Sequence, residues 1–409
     1  MKKVIVFGTG SGYQNLKVYF RDDVKIIAFC DNDENKWNTK FEGISVLNPI
    51  NIKDINFDYI VIASLYYKEI EKQLQSLNVN NKIISYYDED NLNTLCMEIF
   101  KVDMLNIRKI NEVITNQKIQ NQLIENNLMI SAQLMIHNNK LLQKINSLQD
   151  VEFKVFSQWR EDGIIQFLIN NIPIENEIFV EFGVENYTES NTRFLLKNNN
   201  WKGLVMDGDK KNIDYIKNDD IYWRYDIEAK EVFITSENIN DMILESGISG
   251  DIGLLSVDVD GNDYWIWNKI NCISPRIVIC EYNSVFGDTY ELTVPYKEDF
   301  YRTKEHYSNL YWGTSIKALI NLANKKGYEF IGSNGNGNNA FFIRKDLFHH
   351  IDKKIERKKY CLSNFRESRD VDGKLTFASS EERINLIKEM EVYNLKSNKV
   401  EFIKNIYTK

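Results

Sequence analysis

Between Ile178 and Asp263 short apolar runs alternate with helix-forming stretches, and run after run ends in a carboxylate. IFVEFG carries Glu181 and Gly183 at its end, GLVMD stops at Asp207, and LLSVDVDGND closes with Asp258, Asp260 and Asp263. RIVICE adds Glu281 at the end of the next run. β-Rich runs separated by helices fold as βαβ units around a parallel sheet. The carboxyl ends of such strands share one edge, where open α/β sheets bind their ligands. The pattern therefore restricts both the fold class and the place of a site.

The 409 residues suffice for two or three domains. Residues 1–90 hold four strand-like runs, KKVIVF, KIIAFC, FDYIVIAS and NKIISYY, with helical stretches between them. They read as a small Rossmann-like α/β domain. From 91 to 150 there is neither glycine nor proline, and Ile107, Ile110, Ile114, Ile124, Leu128, Met135, Leu142 and Ile145 recur at helical spacing. This segment reads as a helical linker that either self-associates, making a homo-oligomer, or packs on its own domains. Residues 151–346 form the second α/β domain, with strands expected at 178–182, 203–207, 221–225, 253–258 and 276–281. YEFIGS and NAFFIR, joined by NGNGN, then form a terminal β-hairpin. The remainder, 347–409, reads as mostly helical. The expected fold is α/β: two Rossmann-like doubly wound sheets joined by a long helical linker, the second closing in an antiparallel β-hairpin.

Composition removes several function classes. With 51 basic and 59 acidic residues the net charge is -8, which argues against a nucleic-acid partner. No apolar run reaches the ~18 residues of a membrane span. The five cysteines (Cys30, Cys96, Cys272, Cys280 and Cys361) form no CxxC pair and suit a reducing, cytoplasmic setting.

The residue types at the acid-lined edge suggest particular roles. Gly183 lets backbone approach a ligand, but Val184, Glu185 and Asn186 follow instead of the further glycines a diphosphate cradle needs. A sulfonium cofactor with an amino-acid tail needs no such cradle, which favours S-adenosylmethionine (SAM) over NAD. Asp207, or Asp209, is placed to accept the ribose hydroxyls, and Asp226, after IYWRY, to accept the adenine amino group. The alternatives are a helix cap for Asp207 and Asp209, and a solvated loop acid for Asp226. Asp258 and Asp260 share a strand face and repel, so one must hold a proton, a hydrogen bond or a cation. With Glu281 they offer oxygen ligands for a divalent cation such as Mg²⁺; otherwise Asp258 or Glu281 is a general base. His306, in the aromatic-rich insertion 284–313, is a further candidate base, or simply a surface loop histidine. The rings of that insertion either stack on a sugar acceptor or pack as a lid. In the first domain Gly8, Gly10, Gly12 and Asp31 echo a nucleotide-binding fingerprint, although Tyr13 replaces its third glycine.

The segments SQWREDGIIQFL, FVEFGVENYTESNTRFLL, LLSVDVDGNDYW and RIVICEYN resemble bacterial FkbM-like class I SAM-dependent methyltransferases, often encoded with capsule or lipopolysaccharide genes. The resemblance covers about residues 155–345 and implies a seven-stranded sheet whose last strand is antiparallel. It also implies Glu181 and Gly183 by the methionine moiety, Asp207 by the ribose, Asp226 by the adenine and Asp258 facing the methyl group. The first domain looks like the Rossmann-like modules of bacterial glycan-modifying proteins. The expected function is SAM-dependent O-methylation of a sugar or surface-glycan precursor, with a sugar, nucleotide-sugar or glycan acceptor. The alternatives are an NAD- or nucleotide-sugar-dependent oxidoreductase or epimerase, and a non-catalytic scaffold.

Overall fold

The computed structural model describes residues 1–79, 82–85, 98–100, 104–363 and 365–407, divided into two units, Met1–Glu125 and Asn126–Lys409. Cys96 and the ends of the fourth run, Asn81, Tyr86 and Tyr87, lie outside the described residues.

In the first unit, alternate residues of each strand are buried on opposite faces. Val4, Val6 and Val61 enter one core and Ile5, Phe7, Ile60 and Ile62 the other. This double burial is what a central parallel strand requires. The strands are β1 (Lys2–Phe7), β2 (Val24–Cys30), β3 (Lys40–Phe41), β4 (Ile44–Leu47), β5 (Tyr59–Ile62) and β6 (Lys82–Ser85), in the order β3-β4-β2-β1-β5-β6. The β3–β4 pair was not expected. Two residues of β3 are too few to show any periodicity. The helix Met104–Leu141 follows. Toward its end Ala132 is buried and Met129 and Ile136 pack on Phe153, Val155 and Phe194, while Ile119, Leu123, Ile130 and Leu134 are exposed.

The second unit carries β7 (Ile178–Phe182), β8 (Lys202–Asp207), β9 (Ile227–Glu231), β10 (Gly250–Val257), β11 (Ile273–Glu281), β12 (Leu292–Thr293), β13 (Tyr328–Ser333) and β14 (Asn339–Arg344). Its main sheet runs β13-β14-β11-β10-β7-β8-β9. β14 is antiparallel to β11, and β7 to β11 are mutually parallel. The order grows outward from β7 to β9, then restarts at β10 on the other side. The switch point thus falls between β7 and β10, where Ser256 pairs with Glu181 and Val257 with Phe182.

Two expectations are corrected. The strand expected at 221–225 is a helical turn, Ile221–Arg224, and the third strand is β9. Asp219 caps that turn by accepting from the Ile221 amide at 2.9 Å, and Asp220 pairs with Arg224 four residues on. β9 escapes a hydropathy reading because it is a charged edge strand, with only Ile227 and Ala229 buried. The stretch 347–409, read as mostly helical, instead supplies β15 (Glu391–Asn394) and β16 (Lys399–Phe402), which with β12 make a three-stranded sheet. Val392 on β15 packs on a core with Phe286, Phe300, Leu310 and Trp312. Phe286, Phe300, Tyr311 and Trp312 of the 284–313 insertion are thereby buried, while Tyr301 and Tyr307 are exposed.

Candidate active site

At the switch point the ends of β7 and β10 touch. A Cβ on Gly183 would lie 1.7 Å from the Asp258 carbonyl oxygen, and its φ of +74° belongs to the left-handed region. Only glycine permits this crossing. Two further residues of the following loop, Glu185 and Tyr187, also take positive φ. Their strain is held by specific bonds: the Glu185 amide donates to Asp207 Oδ2 at 2.8 Å, and Arg193 donates to the Tyr187 carbonyl at 3.0 Å.

Glu181 is buried, and its carboxylate accepts from the Asn191 amide at 2.9 Å, the Thr192 amide at 3.1 Å and the Thr192 hydroxyl. It anchors the loop leading into the helix Arg193–Asn199. Asp207 Oδ1 accepts from the Asp209 amide and from Asn212, while Oδ2 takes only the Glu185 amide and keeps a lone pair at the edge. Asp209 caps the helix Lys210–Asn218 through the Lys211 amide. That bond takes up Asp209 as a helix cap and leaves Asp207 as the acid at the end of β8.

Asp258, Asp260 and Glu281 converge, each with a carboxylate oxygen within 4.8 Å of the others. Glu281 is 7% exposed and its Oε2 has no hydrogen-bond partner. Asp258 is hydrogen-bonded to Glu281, and burial, then the neighbouring carboxylates, push both groups well above the usual carboxylate range. Such a pair resists full ionisation, because each negative charge opposes the other. Asp263 does different work. Fully buried, it accepts from the Val259 and Gly261 amides, closing its own turn, and burial raises it to about 7. Asp260, at φ +54°, turns outward to Arg302 at 3.2 Å.

Two expected site residues are not brought here. Asp226 precedes β9, and its carbonyl accepts from the Gly203 amide at the start of β8. That is the amino-terminal edge of the sheet, about 15 Å from Asp207 at ~3.3 Å per residue. The acid across from Asp207 is Glu231, which ends β9. The placement of Asp226 follows directly from the misassigned strand. His306 bonds Ser308 at 2.7 Å and stacks on Tyr307, and burial lowers its pKa. No described contact joins it to the carboxylates.

The sequence reading missed Phe233, which lies against Gly208 just past Asp207 and stacks with Tyr301 at 5.5 Å between ring centres. It also missed Arg302, the counter-charge of Asp260. Neither carries a local motif, and only the folded edge brings them to the acids.

In the first unit Gly8, Gly10 and Asp31 do meet at a strand edge. Asp31 Oδ2 accepts from the Thr9 amide, the Thr9 hydroxyl and Lys36 at 3.1 Å. Burial works to raise its pKa, but these bonds outweigh burial and hold it below its usual value. Gly12 is buried in the short helix Ser11–Leu16. The acid of the fingerprint already has partners within its own chain.

The charge state of Glu281 has a measurable consequence for stability. A carboxyl raised on folding is stabilised protonated, and that contribution fades as pH climbs from its unfolded value, about 4.5, toward the folded one. Glu281→Gln is therefore expected to match the native Tm near about pH 4 and to exceed it by a few degrees at about pH 8. Thermal melts in EDTA across that range check this. An advantage that shrinks as pH rises would contradict it.

Residues 1–85 match the family described as C2185-like, N-terminal. No curated protein matches the chain. Among solved structures, it is similar to UDP-D-quinovosamine 4-dehydrogenase from Vibrio fischeri, at 22% identity over 25% of this chain and 94% of that one, TM-score 0.18. It is similar to the SAH-bound N-terminal domain of EvdMO1 at 11% identity, over 52% of this chain and 94% of that one, TM-score 0.32. TrmK of M. capricolum, in complex with S-adenosyl-homocysteine, matches at 13% identity over 47% and 67% of the two chains, TM-score 0.26.

Proposed function

We propose that the second unit is a SAM-dependent O-methyltransferase whose acceptor is a sugar or glycan-precursor hydroxyl. The observation that carries this reading is the strand order, whose reversal between β7 and β10 is where open α/β sheets form a ligand crevice, with β14 antiparallel beside β11. Glu181, Asp207, Asp258 and Glu281 end strands along that crevice. In this reading Asp207 Oδ2 takes a ribose hydroxyl and Phe233 lies beside the adenine. The loop after Gly183 receives the methionine tail.

Methyl transfer breaks the carbon–sulfur bond as the acceptor oxygen bonds the methyl carbon, and SAH leaves as a neutral sulfide. The acceptor proton goes to the ionised member of the Asp258–Glu281 pair. Enclosure at the switch point excludes water and holds oxygen and methyl in line. The three carboxylates also fit a divalent cation, since Glu281 Oε2 is buried and unpartnered. Arg302 on Asp260 already supplies a positive charge there, so the proton-pair route is favoured and activity is expected to survive EDTA. The oxidoreductase alternative is weakened by Asp31, whose carboxylate is held by Thr9 and Lys36.

Titration calorimetry with S-adenosyl-homocysteine tests the reading. Binding is expected, with Asp207→Ala weakening it by about tenfold or more, as the loss of a charge-assisted hydrogen bond implies. Asp226→Ala is expected to leave it unchanged. Absence of binding, or equal losses in both variants, would sink the assignment.

A further inference from the structure

A cleft opens just past the Asp258–Glu281 pair, floored by Tyr282–Val285, the residues that follow β11. Its cavity volume is about 30 Å³, room for a small polar group and not for a whole sugar ring. Its walls come from distant parts of the chain: Arg302 and Trp312 from the insertion, Asn338 from the hairpin turn, and Phe365 and Arg383 from the C-terminal stretch.

The charges of this cleft do not balance. Arg302 lies over the Trp312 ring at 4.6 Å, with its guanidinium held by Asp260 and by the Asn309 carbonyl. Arg383 reaches the carbonyls of Ser363 and Phe365, and its buried Nε has no partner. Burial, then the charges of Arg366 and Arg302, push its guanidinium below its ordinary value. The carboxylate in the cleft wall, Glu367, is taken by Arg369 at 3.0 Å and by Asn309. Among the described residues no acid pairs with Arg383. A guanidinium left without an anion beside two others is costly unless something outside the chain supplies the charge. Guanidinium forks match phosphate and carboxylate oxygens, and Trp312 and Phe365 add ring surface beside them.

We propose that this cleft is the anion-binding end of the acceptor subsite, and that the acceptor is an anionic sugar whose phosphate or carboxylate is received by Arg383, with the charge of Arg366 close by. The inference rests on the methyltransferase reading only in calling the ligand an acceptor; the anion preference belongs to the cleft. Sugar hydroxyls then lie toward Glu281, one residue before the cleft floor. Held by its anion, the sugar can present a single hydroxyl to the Asp258–Glu281 pair.

The test titrates the full chain, with and without saturating S-adenosyl-homocysteine, with glucose, glucose 1-phosphate and glucuronic acid. At least one anionic sugar is expected to bind tenfold or more tighter than glucose, and which one does so distinguishes phosphate from carboxylate. Arg383→Gln is expected to remove that preference while glucose and S-adenosyl-homocysteine affinities stay within twofold. Because Arg383 also ties two carbonyls, the exposed Arg366→Gln is measured alongside and is expected to lose threefold or more of the preference. Equal binding of all three sugars, or a preference untouched in both variants, overturns the proposal. A loss of S-adenosyl-homocysteine affinity in Arg383→Gln would also overturn it, by assigning the cation to the cofactor. Failure of S-adenosyl-homocysteine to bind the native chain would remove the methyltransferase reading alone, because the anion preference is also measured without it.

Discussion

Asp258→Asn is expected to lose 10²–10⁴-fold in kcat while binding S-adenosyl-homocysteine within about threefold of the native chain. The asymmetry follows from where Asp258 sits. It is hydrogen-bonded to Glu281 on the side of the switch point away from Asp207, so in the proposed mechanism its carboxyl serves proton removal and not the ribose. Asparagine keeps the size and one acceptor oxygen but cannot take up a proton, so the loss falls on the chemical step. The native acid limb of kcat/KM is expected above the usual carboxylate range, because burial and the neighbouring acids raise both members of the pair. It reports the pair and not either residue alone. A variant with native turnover, or one losing cofactor affinity in step with rate, would remove Asp258 from this role.

Gly183→Ala has the largest expected effect on stability. The added Cβ meets the Asp258 carbonyl oxygen at 1.7 Å, and the neighbouring atom is backbone, which cannot rotate away. The residue must also keep φ at +74°. Left-handed backbone costs about 1 kcal/mol for an L-residue and overpacking about 1–3 more. A loss of about 3 kcal/mol is therefore expected, lowering Tm by roughly 6–12 °C, and the separation of β7 from β10 should abolish S-adenosyl-homocysteine binding. Gly10→Ala is the control. Nothing lies within 4 Å of its Cβ position, so its Tm should stay within about 2 °C of native. Equal melting of the two variants would mean that the strand ends do not depend on their contact.

The parallel strands were legible because their signal is local. β7, β8, β10 and β11 are buried on both faces, so each reads as an unbroken apolar run ending in a carboxylate. β9 carries Glu228, Lys230 and Glu231 at the sheet edge, and its composition says nothing of a strand. That one misreading put the expected adenine acid at Asp226, away from the edge where Glu231 stands, because an acid before a strand and an acid after it lie on opposite edges. In the same way β15 takes its strand form from pairing with β12, about a hundred residues earlier, and β16 from pairing with β15, not from their own pattern.

The sequence by itself determined that strands of the second unit end in acids, since period and composition act over a few residues at a time. It also singled out Glu181, Asp207, Asp258 and Glu281 as strand-end carboxylates. What those acids do was decided by tertiary contacts. Glu181 is consumed by the Asn191 and Thr192 amides, Asp263 by its own turn, and Asp260 by Arg302, which leaves Asp258 and Glu281 facing each other. A carboxylate's role depends on its neighbours' charges and on exclusion of water. Arg302 comes from the insertion and Asn191 and Thr192 from the loop after β7, and only folding brings them to these carboxylates.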